Sequence, residues 1–547
     1  MPQINPLIFI LAMLPALVLS VFVHEVGHAV LGRAAGYIIT SFGVGMARPL
    51  CVVPFRGVRI FFCRSKPFNG LTLAFHPDLL PSRIRGVTYL SGGILFNTAL
   101  ALISWGFFMW TSRGGSVWLA LVIVNAILAV TALVPHQFKV GKAVLRSDGA
   151  LILQTIRCDT YSQPSPITVQ GLKFIQTLTA SIGDATFFQL SLLSGAEAWA
   201  ALGDIERADA LIVQMSNQPD SEILTLQAYR EYVRAEVALV AGRTDEATAA
   251  INRAESIFRA EDHDVGLMLV SILRSGVLIH LQEPDDVGRA LEDLRLNPVL
   301  QRHRNLGVAR AVLSLNAAIL QTDIHAIERL YKEYTALQTQ VHSSTIDLAI
   351  HRDFARFHAE RGAMASAEPA FRRAVSRVGE LADHWTDPDE RTRFLARHKG
   401  LTDEVRQCLT SVGQADEADR LLAPFLTPMD SAKQVVEAAR VRDRRLRKRG
   451  LSILLANVVI LVSAFALKLG LELEPRTGGA LLFFAMYLSL FTFVCALYFA
   501  FDIAIGRRLM GSRASGGAVI LLLACFPWLV LGLFLAMMIV KTLTSSH

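Results

Sequence analysis

The sequence has few charged residues for its length. Asp, Glu, Lys and Arg make up 18% of its 547 residues, whereas soluble domains usually contain about one quarter. Hydrophobic residues make up 52%. This deficit of charge argues against a wholly soluble enzyme and directs attention to segments that lie in a bilayer.

Cysteine is also scarce. The six cysteines lie far apart and no two form a CxxC pair, which argues against both a disulfide framework and a thiolate zinc site. The apolar N-terminus contains no Lys or Arg before Arg33 and lacks a convincing cleavage site of small residues. We therefore interpret it as a retained membrane helix rather than a signal peptide.

Six apolar runs are each long enough to cross a bilayer, for which about 20 residues are needed. They cover residues 6–31, 87–110, 116–135, 451–469, 479–502 and 517–540. Basic residues cluster in 33–85, 441–450 and 507–513, which all fall on one side if the spans alternate. The positive-inside rule then predicts an outside N-terminus and cytoplasmic residues 136–450. We expect the membrane to be a bacterial inner (plasma) membrane. The alternative is that one run is a re-entrant or interfacial segment.

The net charge of +7 divides unevenly along the chain. Residues 1–150 hold 12 basic and 3 acidic residues (+9), residues 151–440 hold 30 and 40 (−10), and residues 441–547 hold 12 and 4 (+8). Membrane orientation explains basic residues at the edges of apolar runs, so no nucleic-acid partner is predicted. The basic stretch at 441–450 is interpreted as a topology anchor, with binding of anionic lipid as the alternative.

The segment after the first span has a different pattern. Residues 36–75 are rich in Val, Ile and Phe and are broken by Gly and Pro, which predicts two or three short strands. The dipeptide Arg56-Gly57 is the predicted turn of a β-hairpin. Strands at membrane depth must be paired or shielded by protein, so this region is expected to nest among the helices.

The middle of the chain contains a repeat. Turn or helix-ending residues stand at Gly203, Gly242, Gln282, Gln321 and Gly362, in steps of 39 to 41 residues. Each period has room for two antiparallel helices, which predicts a cytoplasmic α-solenoid of the tetratricopeptide kind. Such stacks present a concave face to a protein or peptide partner. An irregular helical domain is the alternative.

These patterns together predict a mainly α fold. We expect a polytopic membrane protein with about six transmembrane helices, a small β-hairpin region after the first helix, and an α-solenoid. The predicted domains are a membrane core at 1–155, a helical-repeat domain at 160–440 and a three-helix membrane domain at 441–547.

The sequence His24-Glu25-Val26-Gly27-His28 lies at the inner end of the first span. Residues four apart share one face of a helix, so the two imidazoles can hold one Zn²⁺ while Glu25 takes a proton from water at that metal. Ionisable side chains in an apolar helix are costly unless they have a function. The alternatives are a buried polar cluster and a proton relay in a transporter.

These residues and their surroundings resemble the site-2 protease family of intramembrane zinc metalloproteases over about residues 1–155. The resemblance rests on His24-Glu25-x-x-His28, FGVGMARPL and RSKPFNG in the strand region, Gly93-x-x-x-Asn97, and Asn125, Pro135 and Asp148-Gly149. It implies that Asp148 is the third zinc ligand and that Asn97 helps to bind the substrate or the oxyanion. For Asn97 a helix–helix hydrogen bond is the alternative, and Asn125 is interpreted as a packing residue.

The chain departs from the family pattern in three places. Thirteen positions separate Pro135 from Asp148, which is more than the family usually has. Ala132 stands where the motif has Asn, and Gly93-Ile94 stands where it has Gly-Pro. His136 is therefore a rival third ligand, and His76 and Asp78 are more remote rivals.

The predicted function is a zinc metalloendopeptidase that cleaves membrane-embedded or membrane-tethered proteins, in regulated intramembrane proteolysis or in clearance of membrane peptides. A transmembrane substrate is helical and must be unwound before attack. An edge strand from residues 42–62 is predicted to bind the extended segment by strand addition. The alternative is a non-proteolytic membrane adaptor or transporter that retains the protease scaffold.

Overall fold

The computed structural model of the chain describes residues 4–46, 48–64, 68–111, 114–135, 137–140, 143–157, 166–299, 304–338, 344–385 and 387–426. The predicted spans 451–469, 479–502 and 517–540 and the basic stretch at 441–450 lie outside the described residues. The described part of 4–157 is called the membrane segment below, and that of 166–426 the helical segment.

Three helices of the membrane segment are long and apolar enough to cross a bilayer. They are α1 Pro6–Ala34, α2 Arg83–Trp110 and α3 Gly115–Leu133, which coincide with the first three predicted spans. The Asn5 side chain caps α1 by accepting hydrogen bonds from the N–H groups of Leu7 and Ile8, at 3.0 and 3.2 Å, and Pro6 occupies the first helical position, where its missing N–H costs nothing.

Helices α1 and α2 approach each other most closely at two glycines. A Cβ atom placed on Gly27 would lie 2.3 Å from the carbonyl oxygen of Gly92, and one placed on Gly92 would lie 2.4 Å from the carbonyl oxygen of Gly27. Small residues allow the backbones of membrane helices to pack this closely. The crossing therefore fixes α2 directly beside the His24–His28 turn of α1.

Residues 38–75 form a four-stranded sheet between α1 and α2 in the sequence. Its strands are β1 Ile38–Val44, β2 Pro49–Phe55, β3 Val58–Cys63 and β4 Gly70–Phe75, in the order β2-β3-β1-β4. The prediction of two or three strands was wrong, since the sheet has four. Strand β4 pairs with β1, which lies about 30 residues earlier in the chain, and a local sequence pattern does not reveal so distant a partner. The predicted hairpin turn is confirmed, with φ of 48° at Arg56 and 82° at Gly57, as a two-residue turn between twisted strands requires.

The long connection between Pro135 and Asp148 contains a hairpin that the sequence analysis did not predict. Its antiparallel strands are β5 Gln137–Val140 and β6 Ala143–Arg146, and α4 Asp148–Arg157 follows. The Ser147 hydroxyl donates to the carbonyl oxygen of Val134 at 2.8 Å, and a Cβ atom on Gly149 would lie 1.8 Å from the carbonyl oxygen of Leu133. The chain thus returns to the point where it left α3.

The helical segment begins with α5 Pro166–Ile182 and continues largely in helix pairs. The first helices of five successive pairs begin at residues 185, 224, 264, 304 and 344. The helices are α6 Ala185–Ala201, α7 Ile205–Ser216, α8 Leu224–Val240, α9 Thr244–Ala260, α10 Asp264–His280, α11 Pro284–Leu296, α12 Arg304–Leu320, α13 Ile324–Gln338, α14 Ser344–Glu360, α15 Met364–Asp383, α16 Pro388–Arg397, α17 Lys399–Ser411 and α18 Ala415–Leu426.

The turns inside these pairs fall at the repeat found in the sequence. Gly203, Gly242, Gln282 and Gly362 have positive φ, whereas in the fourth pair the residue with positive φ is Thr322 and not Gln321. The assignment of these pairs to the tetratricopeptide kind stays a prediction, as do the domain boundaries.

The sheet connects the two segments. Phe61 and Leu73 of the sheet form a buried cluster with Leu178 and Ile182 of α5. The buried hydroxyl of Ser41 in β1 donates to a carboxylate oxygen of Asp184, at the start of α6, at 2.8 Å. The sheet that contacts α1 is therefore also fixed to the helical segment.

Candidate metal centre

Three side chains from two distant parts of the membrane segment meet at one point. His24 Nε2 lies 2.9 Å from Asp148 Oδ2, His28 Nε2 lies 3.3 Å from the same oxygen, and the two Nε2 atoms are 3.2 Å apart. Among the described residues these three form the one group of His, Cys, Asp or Glu side chains arranged to hold a metal ion. The structure thus brings together the three ligands predicted from the sequence.

The donor set fits zinc. Two imidazole nitrogens and one carboxylate oxygen are a common ligand set of catalytic zinc sites, in which a fourth position stays open. Zinc–ligand bonds of about 2.0–2.2 Å in tetrahedral geometry place neighbouring ligand atoms roughly 3.3–3.5 Å apart. The three observed separations, 2.9, 3.2 and 3.3 Å, are close to that spacing, so the three side chains need little movement to share one ion.

The position of Asp148 follows from the returning hairpin. Ser147 bonds to Val134 and Gly149 packs on Leu133. Because both contacts are made at the end of α3, Asp148, which lies between Ser147 and Gly149, is also held there. Burial favours the neutral form of this carboxyl group, but the interaction with the adjacent His24 and His28 imidazoles outweighs burial and lowers the pKa of Asp148. A carboxylate that is ionised is the form that binds a metal cation.

The remaining ring nitrogens of the two histidines also have partners. His28 Nδ1 lies 2.9 Å from the carbonyl oxygen of Tyr89 in α2, so this nitrogen carries a proton and Nε2 keeps its lone pair in the neutral ring. His24 Nδ1 lies 3.1 Å from the amide nitrogen of Asn97. Such partners fix the orientation of histidines that ligate metals.

Glu25 is held against the sheet. Its Oε2 accepts a hydrogen bond from the Thr72 hydroxyl at 2.7 Å, and Glu25 is buried. A Cβ atom on Gly70 would lie 2.2 Å from Glu25 Oε1, so a larger residue there would displace the carboxylate from its position against β4. Strand β4 therefore fixes the carboxylate of Glu25, which interacts electrostatically with His28, His24 and Asp148.

Several of these contacts were not predicted from the sequence. Thr72 and Tyr89 belong to no motif quoted above, and only the folded chain brings them to α1. Gly70 was quoted only as the last residue of RSKPFNG, with no role beside Glu25. Gly93 was noted only as part of a motif, yet a Cβ atom there would lie 2.4 Å from the His24 ring. The signal that could have indicated Gly70 and Gly93 is a glycine within a strand or a membrane helix, which often marks a close approach.

The rival ligands His76 and Asp78 do not join the cluster. His76 Nδ1 accepts a hydrogen bond from the Asp78 backbone N–H at 3.1 Å, and the Asp78 carboxylate pairs with Arg85. His136 lies outside the described residues. Asn125 is fully buried and its side-chain N–H donates to the carbonyl oxygen of Leu121 at 2.8 Å, which agrees with its interpretation as a packing residue.

Comparison with known proteins identifies the family. The model of peptidase family M50 matches residues 12–346, which is more than half of the chain. No curated protein matches the chain. Members of family M50 are zinc-dependent metalloproteases of membranes, in agreement with the three apolar helices and the His24–His28–Asp148 cluster. The chain belongs to peptidase family M50, the site-2 protease family.

Proposed function

We propose that this protein is an intramembrane zinc endopeptidase whose substrates are membrane-embedded or membrane-tethered proteins. The observation that carries the proposal is the convergence of His24, His28 and Asp148, with which the carboxylate of Glu25 interacts electrostatically. One zinc ion held by the three side chains would polarise a water molecule and the scissile carbonyl group. Glu25 accepts a proton from the attacking water and later donates it to the leaving amine.

The surroundings of Glu25 support its role as the general base. The Thr72 hydroxyl bonds to one carboxylate oxygen, so the carboxylate keeps a fixed orientation while its other oxygen is free to take a proton. The buried position of Glu25 excludes bulk water, which strengthens electrostatic interactions at the site. Tyr89 holds His28 through its carbonyl oxygen and so preserves the arrangement during turnover.

The substrate is proposed to be a transmembrane protein, because the site lies on a helix that is apolar enough to cross the bilayer. Strand addition to residues 42–62 is proposed to hold the unwound segment. Within that range only β2 lies at an edge of the described sheet, since β1 and β3 each have a strand on both sides. The proposal therefore narrows to β2, Pro49–Phe55.

Further parts of the proposal concern the setting. We propose an outside N-terminus and a cytoplasmic helical segment, on the basis of the basic residues that flank the apolar runs, and we propose a bacterial inner membrane as the location. The helical segment is proposed to bind a protein or peptide partner that recruits substrate or controls access. Its connection to the sheet through Ser41 and Asp184 supports such a role.

The Glu25→Gln variant tests the proposal. Purified full-length protein is reconstituted with a model transmembrane substrate, and cleavage and bound zinc are measured together. We expect cleavage to fall by roughly 10²–10⁴-fold, which is the usual contribution of a general base, while zinc is retained because Glu25 is not a ligand.

Asp78→Asn is the matched control, since Asp78 is an acidic residue of the same segment that pairs with Arg85. It should cleave like the wild-type protein. Normal cleavage by Glu25→Gln would show that the proposed mechanism is wrong. Tight zinc binding without cleavage by the wild-type protein would favour the non-proteolytic adaptor or transporter instead.

A further inference from the structure

The amide of Asn97 is the partner of the first histidine. Asn97 lies in α2 and is fully buried, with a relative exposure of 0%. Its side-chain nitrogen lies 3.1 Å from His24 Nδ1, and its Oδ1 has no hydrogen-bond partner among the described residues. The amide therefore faces the imidazole ring from the side opposite to Asp148, and one end of the amide is unpaired.

We propose that Asn97 is a positioning residue that holds His24 in the tautomer with its proton on Nδ1. The proposal rests on the zinc site of the proposed function, and it assigns to Asn97 a role other than the oxyanion binding that the family resemblance implies. In this arrangement the Asn97 carbonyl oxygen accepts a hydrogen bond from His24 Nδ1, which leaves the lone pair of Nε2 for the metal.

The two ends of the amide have opposite consequences for the ring. If the side-chain nitrogen faces His24, then Nδ1 must accept, and the proton of the neutral ring stands on Nε2, where it points at Asp148. That ring binds no metal through Nε2. A rotation of the amide by half a turn exchanges its oxygen and nitrogen without changing its shape, and then Nδ1 donates and Nε2 is free.

His28 also has a partner at its Nδ1 atom, and this partner can act only as a hydrogen-bond acceptor. The carbonyl oxygen of Tyr89, 2.9 Å from His28 Nδ1, can only accept. Two histidines that share one ion need the same tautomer, since both present Nε2 to Asp148. Asn97 supplies for His24 what a backbone carbonyl supplies for His28, and histidine ligands usually have an acceptor of this kind.

The neighbouring span contains a matched control. Asn125 in α3 is also 0% exposed, and its Oδ1 likewise has no partner among the described residues. Its nitrogen donates to Leu121 within its own helix and not to a histidine. Replacement of Asn125 therefore measures how much the loss of a buried amide in this part of the membrane segment changes zinc affinity when no histidine loses a partner.

The experiment measures the zinc affinity of the purified full-length protein in competition with a chromophoric chelator, with Zn²⁺ as the only added ligand. We expect Asn97→Leu to weaken zinc binding by roughly 10–100-fold, the usual cost of losing such a partner. Asn97→Asp keeps an acceptor of the same size and should bind zinc close to wild type. Asn125→Leu should also bind zinc close to wild type.

Two results would overturn the proposal. One is a wild-type zinc affinity of Asn97→Leu, and the other is an equal loss in Asn97→Asp and Asn97→Leu. If Asn97→Leu does not fold, Asn97→Ala takes its place with the same expectations. Cleavage of a model substrate is scored separately: zinc binding that follows these expectations in a protein without proteolysis would refute the proposed function and leave the role of Asn97 intact.

Discussion

The membrane segment and the helical segment both bury histidines, but they surround them differently. In the membrane segment, His24 and His28 turn their Nε2 atoms toward one carboxylate, that of Asp148. In the helical segment, burial next to Arg373 and Arg377 lowers the pKa of His351 to about 4. Its Nδ1 lies 2.8 Å from the hydroxyl oxygen of Tyr331, to which it is hydrogen-bonded.

The difference shows what makes a buried histidine a ligand. Burial alone produces a neutral ring that packs among its neighbours, as at His351, which is 1% exposed. A metal site needs donor atoms that converge and a negative charge to balance the cation. Only the cluster at the end of α1 meets both conditions among the described residues. Three substitutions test the two segments, two of them this contrast and one the packing of the membrane helices, from the largest expected effect to the smallest.

Asp148→Ala removes the carboxylate that the His24–His28 cluster has and that His351 lacks. We expect zinc affinity to fall by about 1,000-fold or more, beyond the roughly 10–100-fold cost of losing a residue that only orients a ligand, and cleavage to be lost with the metal. Bound zinc is measured by elemental analysis after dialysis. Asp78→Ala is the control, because that carboxylate pairs with Arg85 outside the cluster. Retention of one tightly bound zinc by Asp148→Ala would mean that another residue is the third ligand.

The candidate site was predictable from the sequence to an uneven degree. The spacing of His24 and His28 predicts one shared face because a helix has a fixed period. Asp148 lies 120 residues further along, and only the family resemblance pointed to it. The hairpin β5–β6 explains its unusual spacing: Ser147 bonds to Val134, so the inserted residues leave and rejoin the core at one point. That contact depends on tertiary packing and has no local signature.

The second substitution concerns the packing of two helices in the membrane segment. In the membrane segment, α1 and α2 cross with Gly27 on the carbonyl oxygen of Gly92. Gly27→Leu inserts a side chain between two backbones, and we expect a loss of stability of about 3 kcal/mol, at the upper end of the usual cost of overpacking. Gly106→Leu in α2 is the control, because a Cβ atom there meets nothing within 4 Å. Thermal unfolding in detergent checks both, and equal midpoints would show that the helices do not cross at Gly27.

The fold was predictable where the signal is local. Helix length in the membrane segment follows from runs of apolar residues, and the turns of the helical segment follow from glycines such as Gly203 and Gly242, whose φ is positive. The pairing of β4 with β1 and the burial of Leu80 in the core of the helical segment depend on contacts between distant parts of the chain. Composition and periodicity do not report such contacts.

The smallest expected effect concerns His351, the buried histidine of the helical segment. An unfolded histidine binds a proton below a pKa of about 6.5, whereas the pKa of folded His351 is lowered to about 4. The unfolded state therefore binds more protons between these values, and stability falls as the pH falls through 6.5 toward 4. His351→Gln keeps a hydrogen-bonding partner for the Tyr331 hydroxyl and removes this proton uptake. Between pH 8 and pH 5 the variant should lose about 2 kcal/mol less stability than the wild-type protein.

Thermal or denaturant unfolding of the full chain at the two pH values measures that difference. The comparison at pH 8 is its internal control, because neither state of the wild-type protein is protonated at His351 there and any difference reports packing alone. Parallel stability curves for the two proteins from pH 8 to pH 5 would contradict the prediction. They would mean that the ring of His351 takes up its proton in the folded state as readily as in the unfolded one, and that burial in the helical segment does not keep this histidine neutral.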